Sequence, residues 1–182
     1  AGRGDFPLEV CRAVKRTGVR QLSVLAVYED CPVEIENLAD RVDWIYAGQL
    51  GRAIACLRGQ GIENLLFAGQ IKPSRLFRGL RPDWRALKLL SGLRERNAES
   101  IFGALAAEFG RHGIRVLPST LFMREALAPV GILGRIKPGA GLWEDIRLGV
   151  RVARELGRLD IGQTVVVKRG TILAVEGFEG TD

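Results

Sequence analysis

The stretch QLSVLAVYEDCPVEIENLADRVDWIYAG, residues 21–48, decides the fold. Its two ends, QLSVLAVY (21–28) and VDWIYA (42–47), are short and nearly continuous apolar runs. Strands covered on both faces of a parallel sheet have this pattern, whereas a strand with one wet face alternates. The residues between them predict a helix over about 33–40. Toward the N-terminus, PLEVCRAVKRTG sets Leu8, Val10, Cys11 and Val14 on one side of a helix that begins at Pro7 and stops at Gly18. Toward the C-terminus, QLGRAIACLRGQG (49–61) reads as a helix and NLLFAG (64–69) as a further strand. Strands alternating with helices make right-handed crossovers, so the expected fold class is α/β, with a Rossmann-like parallel sheet in an N-terminal domain.

Beyond that sheet, helices are expected at 83–94 and 97–111, a strand at IRVLPS (114–119), and a helix opening at Ser119 or Thr120. APVGILGRIKPGAG (128–141) holds Pro129, Pro138 and four glycines, the composition of an interdomain connection. A helix over 143–156 follows, then a hairpin in QTVVVKRGTILAVE (163–176) turning at Arg169-Gly170. The pattern therefore changes from βαβ to antiparallel. The expected organisation is a Rossmann-like domain over 1–128, a linker over 129–141 and the start of a second, α+β domain over 142–182.

A chain of 182 residues can bury a sizeable core without staples. Cys11, Cys31 and Cys56 fit neither a zinc site nor a CxxC pair, and they read as plain thiols of a reducing compartment. No uninterrupted apolar run approaches the ~20 residues of a membrane-spanning helix, so a soluble or peripheral protein is expected. The first residue is not Met and the last block, VEGFEGTD, stops where a helix looks ready to begin, so both ends read as cut. The formal charge of +6 resides in one segment: between Lys72 and Arg96 eight cations face only Asp83 and Glu95, and elsewhere the two signs balance. That points to an anionic partner.

Ala-Gly recurs as AGRG (1–4), AGQL (47–50) and AGQI (68–71), twice at a strand end and once just before a helix. At the carboxyl edge of an open α/β sheet such turns let the backbone approach a ligand, and Arg3, Gln49 and Gln70 would supply donors there. Gly2-x-Gly4 lacks the third glycine of the dinucleotide fingerprint, where Pro7 stands, so a standard NAD site is not expected. An Arg3-Gly4-Asp5 adhesion tripeptide is set aside because Asp5 is placed to start the helix at Pro7. His112, the only histidine, stands at a helix end, where a cation complements the dipole, and without a second histidine no Ser-His-Asp set can be built.

Glu176, Glu179 and Asp182 recur at three-residue spacing through two glycines. Such a turn either gathers carboxylates around Mg²⁺, a hard cation that prefers oxygen, or is a solvated acidic turn. Asp160 divides in the same way between turn cap and site residue. The basic segment interleaves Phe77, Leu80, Trp84 and Leu87 with its cations, which suits either a helix packed on the sheet or a basic amphipathic surface that meets lipid. It carries no recognition-helix, RNP or zinc-finger signature for nucleic acid.

Taken together, AGRGDFP (1–7), GQLGR (48–52), AGQIKP (68–73), LRPD (80–83), LAPVGILGR (127–135) and above all DIGQTVVVKRGTILAVEGFEGTD (160–182) resemble the bacterial UDP-2,3-diacylglucosamine pyrophosphatases of lipid A synthesis, in their two-domain form unrelated to calcineurin-like phosphoesterases. The resemblance implies Mg²⁺-dependent hydrolysis of the diphosphate to UMP and 2,3-diacylglucosamine 1-phosphate, with substrate held between the domains. It places the family's essential aspartate at Asp182, beside Glu179 and Glu176, the candidate metal ligands of the spacing reading. With such a substrate, Gly2, Arg3, Gly4, Gln49, Gln70, Lys72, Asp160 and Gln163 are this chain's substrate-binding candidates, and Phe77, Leu80, Trp84 and Leu87 its candidates for acyl-chain or membrane contact. The implied location is cytoplasmic, peripheral on the inner face of the inner membrane, with homo-oligomerisation open. Against the family pattern the chain stops at that aspartate, short of most of the second domain, and starts past the first strand. The rival reading from another class is a non-catalytic nucleotide- or nucleic-acid-binding module.

Overall fold

The computed structural model describes residues 1–71, 81–93, 98–159 and 161–177. Lys72, Phe77, Leu80, Asp160, Glu179 and Asp182 lie outside them. The chain divides into two compact units, one of Ala1–Arg96 and Ser100–Leu127, the other of Asn97–Glu99 and Ala128–Asp182.

In the first unit, α1 (Phe6–Arg16) buries Leu8, Val10, Cys11 and Val14 along the face its spacing predicts. Asp5 precedes it without a side-chain capping bond, contrary to expectation; its backbone carbonyl accepts from Glu9 N at 3.1 Å instead. β1 (Ser23–Val27) pairs in parallel with β2 (Arg41–Ile45) in continuous register from Ser23↔Arg41 to Val27↔Ile45. The crossover between them is a 3-10 helix, Val33–Asn37, and not the expected α-helix to residue 40. It is tied at both ends, by buried Cys31 and by Asp40 N bonded to Leu22 O, which leaves room for one tight turn anchored on fully buried Ile35.

α2 (Leu50–Gly59) buries Leu50, Ala53, Ile54 and Leu57 at helical spacing. β3 (Asn64–Leu66) pairs in parallel with β4 (Arg115–Leu117), and α3 (Trp84–Ser91) and α4 (Ala98–Arg111) lie in the crossover. After Pro118 the chain makes two 3-10 turns, Ser119–Phe122 and Arg124–Ala126, where a helix is expected; neither buries a residue, and without a packed face so short a segment has nothing to sustain an α-helix.

Residues 1–3 join the two parallel pairs. Ala1 N donates to Leu25 O and Val27 N to Ala1 O on one side, while Gly2 N donates to Ala68 O and Arg3 N and O exchange bonds with Gln70 on the other. Residues 1–3 thus lie between β1 and the segment that follows β3. Alternate residues of β1 feed two cores, as side chains of a strand must. Val24 and Ala26 pack with Leu8, Cys11, Cys31 and Ile35, whereas Leu25 faces the cluster of Ile45, Leu50, Ile54, Leu57, Phe109 and Ile114. Helices on both faces of parallel strands are the α/β arrangement read from residues 21–48.

In the second unit, α5 runs from Ala140 to Arg158, longer than predicted because Gly139, extended at ψ 172°, ends the preceding loop earlier. β5 (Val165–Lys168) and β6 (Thr171–Val175) form the expected antiparallel hairpin. Its turn residues Arg169 and Gly170 both have positive φ, 48° and 75°, the two-residue turn whose twist matches that of paired strands. Asp145 of α5 accepts from both turn amides, Arg169 N at 2.8 Å and Gly170 N at 2.6 Å.

Candidate functional site

The glycine turns expected at the sheet edge are present, and their amides are already engaged. Gly2 N bonds Ala68 O at 2.8 Å and Arg3 N bonds Gln70 O at 2.6 Å. A Cβ on Gly2 would strike the Gln70 carbonyl, and one on Gly69 (φ 84°) would lie 2.7 Å from Arg3 O, so these two glycines let two backbones cross. Gly4, at φ 93°, has open space where a Cβ would stand. Gln49 precedes α2 and turns its Oε1 back to accept from Tyr46 N at 3.0 Å. The structure therefore brings Gly2, Arg3, Gly4 and Gln70 together, and sets Gln49 on the turn after β2.

A second constellation, absent from the sequence reading, sits at the same ends of β1 and β2. Tyr28 and Tyr46 follow the last residues of the two strands; their rings are 4.7 Å apart, and Tyr28 stacks on Trp44 at 5.4 Å. The Arg81 guanidinium lies over the Tyr46 ring, 4.0 Å from its centroid. Its backbone is pinned to the turn after β2: Arg81 N donates to Ala47 O at 3.0 Å and Asp83 N to Gly48 O at 3.1 Å. Asp83 caps α3 by accepting from Ala86 N at 3.0 Å and also accepts from Gly51 N, in the first turn of α2, at 2.6 Å. The protein's own carboxylate thus occupies the helix end that a bound anion could have used. A signal for this cluster was available: both strands finish with a β-branched residue followed by Tyr, as VY (27–28) and IY (45–46).

On α3, Ala86 is buried, while Trp84 is 77% and Leu87 47% exposed. These two side chains do not pack the helix onto the sheet. Beside them a groove of about 580 Å³ runs between α3 and α4, lined by Trp84, Arg85, Lys88, Glu108 and Arg111 among others. Arg111 donates to Glu108 at 2.7 Å, and that bond above all holds the Glu108 carboxyl below the usual range. Arg85 Nη1 stands 2.9 Å from His112 Nε2, so the histidine read as a helix-end residue also meets α3.

In the second unit, Glu176 follows β6 and accepts through Oε2 from Gln163 N at 2.8 Å, while its own amide donates to Thr164 O at 2.9 Å. A Cβ on Gly162 would collide with the Glu176 backbone, so this close return needs glycine. Gln163 and Glu176, the two ends of the hairpin segment, are therefore brought together. Among the described residues no three His, Cys, Asp or Glu side chains gather as a metal-holding group. Glu176 is the described one of the three carboxylates read as a metal set, and carboxylate oxygens are chemically suited to a hard cation. Cys11 and Cys31 are buried free thiols whose pKa values burial pushes up, and Cys56 is free and half-buried, so these act as packing groups. No helix among the described residues is long and apolar enough to cross a membrane.

Comparison with known proteins gives a concordant result for both halves. Residues 1–126 match the family model of the LpxI N-terminal domain, and residues 129–182 that of the LpxI C-terminal domain. The whole chain aligns with the UDP-2,3-diacylglucosamine pyrophosphatase LpxI of Caulobacter vibrioides at 34% identity over 188 positions. It spans 65% of that relative's length.

Proposed function

Because the chain belongs to the LpxI family, we propose that the protein hydrolyses the diphosphate of UDP-2,3-diacylglucosamine to UMP and 2,3-diacylglucosamine 1-phosphate, a step of lipid A synthesis. The observation that carries this is the match of both halves to the two domains of one family, with the relative's pyrophosphatase name alongside. In this reading the first unit is a Rossmann-like nucleotide-binding domain. Arg3, Gly4, Gln49, Gln70 and Lys72 serve the substrate, with Gly2 setting the backbone crossing that places Arg3 and Gln70. In the second unit, the start of a catalytic domain, Asp160 and Gln163 serve the substrate. Asp182 is the catalytic residue, and with Glu179 and Glu176 it would hold Mg²⁺. Bound there, Mg²⁺ neutralises charge on the diphosphate. Gln163 N, by holding one oxygen of Glu176, fixes the orientation of that carboxylate before any ion arrives.

A diacylated substrate needs an apolar path, since each methylene leaving water gains ~0.8 kcal/mol. Exposed Trp84 and Leu87, next to Arg85 and Lys88, are the described part of such a surface, and Phe77 and Leu80 extend it in sequence. The cations would draw it to an anionic leaflet from the cytoplasmic side. The decisive experiment is Asp182→Ala in the full-length enzyme. UMP release should fall to background with the fold intact, and chelation followed by Mg²⁺ should switch the wild type off and on. A variant that still releases UMP at the wild-type rate overturns the assignment.

A further inference from the structure

We propose that Arg81, seated on Tyr46 beside Tyr28, is a nucleotide-recognition residue whose guanidinium takes a phosphate while the neighbouring tyrosine face takes the base. This rests on the diphosphatase reading for the identity of the nucleotide, a uridine phosphate, but not for the existence of the site. Arg81, one of the eight cations of the basic segment, pairs with no carboxylate among the described residues, although Asp83 stands only two positions away. The Asp83 carboxylate is committed to two amides, Gly51 N and Ala86 N. The guanidinium is nevertheless held in place, by the Tyr46 ring beneath it and by the backbone bonds of Arg81 and Asp83 to Ala47 and Gly48. A pre-positioned, exposed and uncompensated planar cation is suited to bidentate contact with phosphate oxygens.

Its location fits the same ligand. Tyr28 and Tyr46 follow the carboxyl ends of two adjacent parallel strands, where open α/β sheets bind nucleotides. Tyr28 is 38% exposed, so the aromatic cluster that it forms with Trp44 and Tyr46 presents a surface against which a base can pack. The amides that usually cradle phosphate at such an edge are spent within the protein here, on Asp83 at α2 and on Gln70 at residues 1–3. Side-chain cations would do that work instead, and Arg81 is one that is held at the sheet edge by its backbone bonds and the Tyr46 ring.

The test is calorimetric titration of the full-length protein with UMP and with uridine. Arg81→Gln should weaken UMP by roughly tenfold and uridine by no more than about twofold, since only UMP offers the charge. Tyr28→Ala should weaken both ligands by about threefold or more, the worth of a partial stacking contact. Arg81→Lys keeps the charge and should regain part of the UMP affinity; equal losses in the Gln and Lys variants would assign the effect to packing and overturn the proposal. Unchanged UMP affinity in Arg81→Gln, in a protein that hydrolyses UDP-2,3-diacylglucosamine, overturns the recognition role and leaves the diphosphatase reading standing. Arg81-dependent UMP binding without hydrolysis does the reverse.

Discussion

All the buried apolar side chains among the described residues, from Pro7 to Ile114, belong to the first unit, whereas α5 of the second buries none and β6 presents Ile172, Leu173 and Val175 to solvent. The contrast follows from layers. The first unit covers its parallel strands with helices on both faces, and so builds two cores from alternate residues of β1. The second sets one amphipathic helix against a two-stranded hairpin, which is too thin to enclose anything. It is held by local devices: a turn with two left-handed residues, Asp145 clamped on that turn, and Gly149 and Gly162 where segments approach closely. Packing dominates one unit and hydrogen-bonded geometry the other.

The largest expected effect breaks this contrast if it fails. Ile35→Ala empties a completely buried site that anchors the 3-10 crossover, and should cost about 2–5 kcal/mol. Leu173→Ala, at a position 59% exposed, should cost less than about 0.5 kcal/mol. Urea unfolding read by amide exchange within each unit separates the two, because the whole chain need not unfold as one. A comparable loss at both positions would mean that the hairpin face is packed in solution.

How much of this was legible beforehand follows the same division. Strands at 23–27 and 41–45 and helices at 6–16 and 50–59 were readable because burial imposes a period on the sequence. The 3-10 segments after Pro32 and Pro118 were misread as helices because a few apolar residues at helical spacing do not reveal how short a crossover must be. The glycine turns could be located, and Gly4, Gly48 and Gly69 indeed have positive φ. What faces them could not: that Gly2 crosses Gln70, or that Asp83 reaches Gly51 across thirty-two positions, depends on long-range pairing. Of the candidate site, Gln163 and Glu176 were close enough in a hairpin to be brought together by local structure alone.

Two aspartates sharpen the comparison at an intermediate scale, since each bridges two backbone amides in a different unit. Asp83 joins the first turns of α2 and α3 through Gly51 N and Ala86 N in a partly buried setting. Asp83→Ala leaves both amides without that acceptor and should cost about 1–2 kcal/mol of first-unit stability. Asp145 holds the Arg169 and Gly170 amides in an exposed setting, where water replaces it, so Asp145→Ala should cost about 0.5–1 kcal/mol and be felt in the second unit. The amides of Gly51 and Ala86 should exchange faster in the first variant, and those of Arg169 and Gly170 in the second. Exchange that changes in both units at once would show that the bridges are coupled.

The smallest effect concerns acid. Asp40, Asp43 and Glu108, three carboxylates held below their ordinary range, belong to the first unit. For Asp40 the main cause is the bond from Lys15 Nζ, followed by the Leu22 amide at 2.7 Å. Arg41 does the same for Asp43, with a further bond from Gln60. A carboxyl group whose folded pKa is depressed contributes stability above its unfolded value, about 4, and that contribution is lost as pH falls through the lower folded value. The first unit should therefore keep a constant urea midpoint from about pH 7 to 5 and lose ground below about 4. Asp40→Asn should lower the midpoint slightly at neutral pH, and its difference from wild type should vanish by about pH 3. The Lys15 contact is exposed, so about 1 M salt should shrink that difference, while the Leu22 amide bond is a short-range contact and should survive it. A difference that persisted undiminished at low pH would trace it to the shape of the Asp40 side chain and not to its charge.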